Sequence, residues 1–289
     1  MIADTYTQLV FHVLAHVRLT GPGDLFDRRY IDWAAERFSA EDTELLAQGA
    51  TWLACVWAMD PRCDQLHRFC DLHRDVAELL AHADRSLIEL HPHEVADPAL
   101  LEAVRELEGA ELLHASLAVL APRFTEVIAE QAPALERARV SVGEWLACLA
   151  EWCPGLADTR VELVWALGPH GRALPGRCLV GAPTPWSGCS SARQAVLAAH
   201  EHAVTLAGSG DDYVGEEWTA LTELATWLER ADPELRAAHG AWLASLELGP
   251  LLAEALAREL LTAADAEALT DQPYQRAERL IAARAAAPR

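Results

Sequence analysis

Apolar residues recur every three to four positions along most of the chain, which is the spacing typical of amphipathic helices. In the first such segment, residues 4–19, Leu9, Val13 and Val17 share one face before the chain reaches Thr-Gly-Pro-Gly. The same spacing predicts further helices over residues 28–38, 41–58, 62–83, 97–120, 122–138 and 142–152. Ser141 and Glu144 form a capping box for the last of these. The pattern therefore predicts a helical N-terminal part, residues 1–158.

The hydrophobic period changes to two between Thr159 and Leu167, which predicts a strand in which Val161, Leu163 and Trp165 point the same way. Gly-Pro-His-Gly at residues 168–171 is a turn signal, and a second strand lies within residues 172–181. We expect a β-hairpin whose outer edge, residues 176–181, has no neighbouring strand. Helices are then predicted from Ser190 or Ser191 to about residue 208, and over residues 214–231, 233–247, 250–260 and 273–286. The second part, residues 159–289, is thus a hairpin with helices, and we expect it to form one compact unit with the first.

The composition describes a globular protein of mainly α class with a small β element. Of 289 residues, 52% are hydrophobic and 23% are charged, which suits a chain that buries a core. The net charge of −21 disfavours binding to nucleic acid, because phosphate backbones are repelled. No apolar run reaches the length of a membrane span, and the N-terminus has no secretory pattern, so we expect a cytoplasmic protein without a membrane partner. The seven cysteines form no Cys-x-x-Cys pair and are interpreted as buried thiols.

The candidate chemistry lies in the segment Val-Leu-Ala-Ala-His-Glu-His-Ala-Val-Thr-Leu, residues 196–206. His200 and Glu201 match the start of His-Glu-x-x-His, a pattern in which two histidines one helical turn apart bind zinc and the glutamate acts as general base. The second histidine position holds Val204. His202 cannot replace it, because two residues along a helix correspond to a rotation of about 200°.

The order of hairpin, loop, helix with His-Glu and a following Glu-rich helix resembles the catalytic core of gluzincin-type zinc metallopeptidases. The resemblance implies that His200 matches the first zinc ligand and Glu201 the general base. Glu216, Glu217 or Glu223 would match the third ligand, and residues 176–181 the edge strand that pairs with extended substrate. Val204 departs from the family pattern at a ligand position, which leaves fewer than the three protein ligands that catalytic zinc normally takes.

A scaffold of this kind that has lost its metal keeps a strand edge able to hold a peptide. Inactive peptidase-like proteins of this sort serve as peptide-binding proteins in pathways for ribosomally made peptide natural products of the crocagin type. We therefore expect a non-catalytic accessory protein in which His200 and Glu201 are vestigial and no cofactor is needed. Its partner would be a peptide, for example a precursor or leader peptide, or a modifying enzyme. The predicted peptide-binding residues are Arg177, Cys178, Leu179, Val180, Gly181, Trp186 and His200, with Trp186 in the loop before the His200 helix.

Two other functions stay open at the level of sequence. One is an active zinc metallopeptidase with non-standard ligands, drawn from His200, Glu217 and Glu223. The other is a helical adaptor in which His200 and Glu201 are a polar turn of an ordinary helix. Other residues with metal-ligand spacing are better interpreted as core or surface residues of helices: His12 with His16, Cys63 with His67, Cys70 and His73, and Glu111 with His114.

Overall fold

The computed structural model describes residues 1–3, 5–15, 28–42, 110–168, 170–174, 177–183, 188–207, 213–246, 249–271 and 279–280. These residues form a mainly helical fold with a small three-stranded sheet, which confirms the predicted mixture of elements. None of the helices in these ranges is long and apolar enough to cross a membrane. The helix predicted over residues 62–83, nearly all of those over 41–58 and 273–286, and Trp186, His16 and the Cys63–His73 set lie outside the described residues.

The helices agree with the predicted segments in most places. Their bounds are α1 Thr5–Ala15, α2 Arg28–Ala35, α3 Ala110–Ala150, α4 Ser191–Ala207, α5 Tyr213–Leu228, α6 Pro233–Ser245, α7 Gly249–Ala257 and α8 Ala263–Asp271. The helix that carries His200 begins and ends where the sequence predicts, and α8 is a helix that the pattern did not indicate.

Helix α3 is continuous over 41 residues, so the predicted interruptions at residues 121 and 139–141 are wrong. Pro122 and Pro133 both lie inside the helix, and Ser141 lies inside it as well and caps nothing. A proline removes one backbone hydrogen bond, and a helix tolerates this loss when its apolar face stays buried. The buried positions do continue past both prolines, at Phe124, Val127, Leu135, Ala138, Val142 and Leu149.

The sheet consists of β1 Arg160–Val164, β2 Gly171–Leu174 and β3 Arg177–Gly181, in the order β1-β3-β2. Strands β2 and β3 form the antiparallel hairpin, with Gly171 opposite Val180 and Leu174 opposite Arg177. The first predicted strand is shorter than expected, because residues Trp165–Leu167 form a 3₁₀ turn.

The prediction of an unpaired edge at residues 176–181 is wrong. Strand β3 lies in the middle of the sheet, and all five of its residues are buried. The strand order was predicted wrongly, because the spacing of a hairpin does not reveal that β1 pairs with β3. Among the described residues, β2 has β3 as its only neighbouring strand, so its other side is an edge.

The contacts of the chain group into two compact units that interleave along the sequence. The first unit comprises residues 1–137, 163–170 and 184–188, and the second comprises residues 138–162, 171–183 and 189–289. The division predicted after residue 158 stays a prediction.

The first unit has an aromatic core around His12. The His12 ring is fully buried, lies 2.7 Å from the Tyr30 hydroxyl through Nδ1, and packs against the rings of Phe38 and Phe124. Burial raises the pKa of Tyr30, so its hydroxyl stays protonated and suits this hydrogen bond. His12 is therefore a core residue of this unit.

In the second unit, α4 is the central element. It packs against β2 and β3 on one side and against α5 and α6 on others. The β1–β3 pair is held together by a buried ion pair between Glu162 and Arg177, 3.2 Å apart, and Arg160 also contacts Glu162. Arg177 therefore has a structural partner inside the sheet.

Candidate functional site

Helix α4 begins with a side-chain cap that fixes its register. The Ser190 hydroxyl accepts a hydrogen bond from the backbone N–H of Arg193, three residues into the helix. From this start, nearly every residue from Ala192 to Ala203 is buried, His200 among them. A helix that is buried on several sides places its few polar residues against specific partners.

His200 faces helix α5. Its Nε2 atom lies 3.0 Å from Oε1 of Glu217, and its ring centroid lies 4.7 Å from that of Trp242 on α6. Only 4% of His200 is exposed, whereas the Glu217 side chain keeps 19% exposure. The pair is thus buried at His200 and reaches solvent through Glu217.

Charge, more than burial, decides the protonation of this pair. Burial lowers the pKa of His200, but the charge and hydrogen bond of Glu217 and the charge of Glu201 raise it above its ordinary value. Burial raises the pKa of Glu217, yet the His200 charge and hydrogen bond and the charge of Arg172 hold it below its usual range. Both directions favour an imidazolium–carboxylate ion pair.

Glu201, the next residue, points toward the sheet. Its carboxyl group lies near the backbone of Ala173 in β2, which favours the charged form. Its side chain lies so close to Gly171 that a Cβ atom there would be 2.8 Å from Cγ and Oε1 of Glu201. Glycine at position 171 is what allows this approach.

The register of the hairpin shows which way β2 presents its backbone groups, because Leu174 and Arg177 lie opposite each other across a two-residue connection. In an antiparallel pair, residues alternate between bonding the neighbouring strand and pointing their N–H and C=O groups away from it. The pair that closes such a connection is hydrogen-bonded, so Ala173 and Gly171 direct their N–H and C=O groups away from β3, and Arg172 directs its groups toward it. Glu201 lies against the face of β2 toward which a Cβ atom at Gly171 would point.

The pKa of Glu201 is raised. Burial is the main cause, and the charge of Glu217 adds to it, while the charges of His200 and Arg172 and the nearby Ala173 backbone act in the opposite direction. The charge of Glu201 acts in turn on Cys178, whose thiol hydrogen-bonds with the Thr205 side chain. Burial, followed by the Glu201 charge, raises the pKa of this thiol, which makes it a poor nucleophile.

His202 points to a different side of α4, which confirms the argument from helical geometry. Its Nδ1 lies 2.8 Å from the Thr159 hydroxyl, and its Nε2 donates to the Pro154 carbonyl at 2.8 Å. Both ring nitrogens are thus used to fix the loop before β1 onto α4. His202 has a structural role and is not available to a ligand beside His200.

Of the residues considered as a third zinc ligand, Glu217 is brought to hydrogen-bond distance of His200. Within the described ranges, however, no group of three or more His, Cys, Asp and Glu residues could hold a metal ion. The donor set explains this: His200 and Glu217 bond each other, and Val204 offers no ligand atom at the position one turn along α4. These residues do not fit a catalytic zinc ion.

The predicted peptide-binding residues of β3, Arg177 to Gly181, are buried in the centre of the sheet and expose no strand edge. The sequence reasoning missed the residues of the neighbouring strand. We call His200, Glu201, Glu217, Arg172 and Ala173 the β2-edge cluster, and its last two members are half-buried. The glycine-containing turn before β2 was the available signal that the chain bends tightly there.

His239 on α6 was also missed. It is 2% exposed, and its ring lies against Trp242, 5.9 Å between centroids, three residues further along the helix. Burial, with a smaller effect of the His200 charge, lowers the pKa of His239 to about 3. A His-x-x-Trp spacing on one helix face was the sequence signal for this stacked pair.

The β2-edge cluster thus combines outward-pointing backbone groups with a buried ion pair and a second carboxylate. Backbone groups of this kind can bind an extended chain. No protein-family model, curated protein or solved structure matches the chain.

Proposed function

We propose that this protein binds a peptide without cleaving it, on a degenerate metallopeptidase-like core, as an accessory protein of a peptide natural-product pathway. The observation that carries the proposal is the outward-facing backbone of Gly171 and Ala173 on β2, with Glu201 against the same strand and His200 paired with Glu217. A helix that sets Glu201 against a strand of the hairpin, followed by a helix that brings a glutamate to His200, supports the resemblance to gluzincins, with β2 in place of the predicted edge strand β3.

The peptide would add as a strand along β2 instead of along β3. Gly171 and Ala173 point their backbone groups away from β3, and main-chain hydrogen bonds to such groups supply affinity for an extended chain of any sequence. The acidic character of the protein favours a neutral or cationic peptide. A precursor or leader peptide in extended form is a partner of this kind, and a modifying enzyme is a further one.

The absence of catalysis is supported by how the site residues are used. His200 is engaged with Glu217, and Val204 replaces the residue that a zinc ion would need. Without a metal, Glu201 has no activated water to deprotonate. The β2-edge cluster therefore keeps the groups of a peptidase site that bind a peptide and lacks the metal site that would cleave it.

The contact between His200 and Glu217 favours a second candidate, an active zinc peptidase. His200 and Glu217, which match ligand positions of the gluzincins, have side-chain atoms 3.0 Å apart. Two ligands of one zinc ion must lie close together in this way. That enzyme would bind one zinc ion per chain through His200 and would hydrolyse the peptide. Zinc content and peptide hydrolysis distinguish it from the binding protein.

The experiment starts from peptides selected on the purified wild-type protein from a random displayed library. Binding of a selected synthetic peptide is then compared between Ala173→Pro and the matched control Ala173→Gly. Proline removes the outward N–H while leaving the bonds to β3, whereas glycine keeps the N–H. We expect Ala173→Pro to weaken binding at least tenfold and Ala173→Gly to change it by less than threefold. Equal affinities in folded variants, or no selected peptide, would refute the proposal.

A further inference from the structure

Glu201 fills the place of the side chain that Gly171 lacks. A Cβ atom on Gly171 would lie 2.8 Å from Cγ and Oε1 of Glu201 and 3.1 Å from its Cδ. The carboxyl group therefore lies on the face of β2 to which residue 171 would project a side chain. Because β2 is an edge strand among the described residues, this face would continue onto a strand added beside it.

The register of the hairpin determines which residue of an added strand comes next to Glu201. Gly171 directs its N–H and C=O groups away from β3, so these groups are the ones to which an added strand would hydrogen-bond. The added residue opposite Gly171 projects its side chain to the same face, with its Cβ about 5 Å from the place of a Cβ at position 171. A lysine or arginine side chain spans that distance and reaches the Glu201 carboxyl group.

We infer that Glu201 is a specificity-determining residue that selects a lysine or arginine at the peptide position opposite Gly171. The inference rests on the proposed function, since it names the class of peptide that the edge of β2 takes. Gly171 has no side chain for a cross-strand pair, and Glu201 supplies one from α4. Opposite charges in such a pair stabilise the association of the two strands.

The basic residues near Glu201 leave this role to the peptide. His200 is held by Glu217 on α5, at 3.0 Å. Arg172 starts from the opposite face of β2, because side chains alternate along a strand, and its Nη1 donates to the Gly171 carbonyl at 3.5 Å. That contact is long, and a peptide N–H can replace it. Within the part of the chain that the structure describes, Glu201 forms no salt bridge.

Partial burial strengthens the selection. Glu201 is half-buried, and burial is the main cause of its raised pKa, so its charged form is incompletely hydrated. A cation beside such a carboxyl group interacts with it more strongly than at an open surface, where ion pairs contribute little. An acidic peptide side chain at the same position would be repelled by Glu201 and by the charge of Glu217.

The experiment exchanges charges between protein and peptide. Peptides selected on wild-type protein from a random displayed library should share a lysine or arginine at one position. Methionine at that position keeps much of the length without the charge and should weaken binding to wild type about tenfold, whereas methionine at other basic positions should change it less than threefold. With Glu201→Gln, the basic and methionine peptides should bind within threefold of each other. Glu201→Lys should reverse the preference, so that a peptide with glutamate at the shared position binds at least tenfold more tightly than the original.

Glu229→Gln and Glu229→Lys are the matched controls, because they change the net charge equally at an exposed position outside the β2-edge cluster. Equal effects of the Glu201 and Glu229 variants, or the lack of any peptide position that responds to Glu201, would overturn the inference. The peptide substitutions leave the protein unchanged, so they decide the question even if circular dichroism shows that Glu201→Lys does not fold. Selected peptides that are weakened by Ala173→Pro but show no basic preference would overturn this inference alone, whereas no selected peptide at all would refute the proposed function as well.

Discussion

His200 on α4 and Glu217 on α5 form an ion pair at 3.0 Å that links the two helices within the β2-edge cluster. The pair combines a raised pKa on the histidine with a lowered pKa on the carboxyl group. Removing either partner leaves the other charge buried without its counter-charge, which destabilises the folded protein.

Glu217→Gln should therefore destabilise the protein by about 1–3 kcal/mol, below the usual cost for a buried pair because the Glu217 side chain keeps partial solvent contact. The sign of the pH dependence follows from the two shifts. The His200 contribution is complete below the ordinary pKa of 6.5 and is lost as pH rises through the raised value. The Glu217 contribution is complete above 4.5 and is lost as pH falls through the lowered value. Urea denaturation should show the largest difference from wild type between pH 4.5 and 6.5.

Glu229→Gln is the control for this experiment, because Glu229 lies exposed at the end of α5. A loss of stability in Glu217→Gln that equals the loss in Glu229→Gln at every pH would contradict the ion pair.

His239 should make the protein sensitive to acid. Its folded pKa of about 3 lies below its ordinary value of 6.5, so the neutral form is favoured by folding and stability is lost as pH falls below 6.5. Between pH 7 and pH 5 this group alone should cost about 2 kcal/mol. His239→Phe removes the titration, and its free energy of unfolding should fall less steeply than that of wild type over this range. If the free energy of unfolding falls equally steeply with pH in the two proteins, His239 is not buried in its neutral form.

A histidine at position 204 should restore a zinc site. Val204 lies one turn from His200 on α4, so Val204→His places two imidazoles on one face with Glu217 opposite. We expect wild-type protein purified without chelator to hold far less than one zinc ion per chain, and the variant to bind zinc at least a hundredfold more tightly. Leu206→His is the matched control, because Leu206 lies two residues beyond Val204 on α4 and is exposed. Stoichiometric zinc in wild type, or equal zinc affinity in the two variants, would contradict the interpretation of the site.

His202→Ala should lower stability and leave peptide binding unchanged. The substitution removes two hydrogen bonds of 2.8 Å that join α4 to the loop before β1, at a cost of about 1–3 kcal/mol. Thermal denaturation and a binding titration at a temperature where both proteins are folded would measure the two effects. Lost peptide binding at full stability would place His202 in the binding site.

The sequence was sufficient to predict helix α4 and the opposite orientations of its histidines. Ser190 is a local cap signal, and the angle between His200 and His202 follows from helix geometry alone. It was also sufficient to name Glu217 as one of three candidates, since all lie on the next helix.

The position of β3 could not be predicted in the same way. Alternation and turn residues give the strands of a hairpin, but β1 pairs with β3 through contacts that are distant in sequence. Ala173 and His239 were not predicted as neighbours of α4 for the same reason, because tertiary packing alone brings them to it. Because the strand order was predicted wrongly, the peptide-binding edge was expected on β3, whereas we now propose it on β2.

The fate of a bound peptide tests the central claim most directly. A library-selected peptide is incubated with wild-type protein, once with a zinc chelator and once with added zinc, and its affinity and mass are measured together. We predict the same affinity in both conditions and an intact peptide recovered by mass spectrometry. Peptide fragments that form with zinc, disappear with the chelator and are not produced by Glu201→Gln would show that the protein is a metallopeptidase.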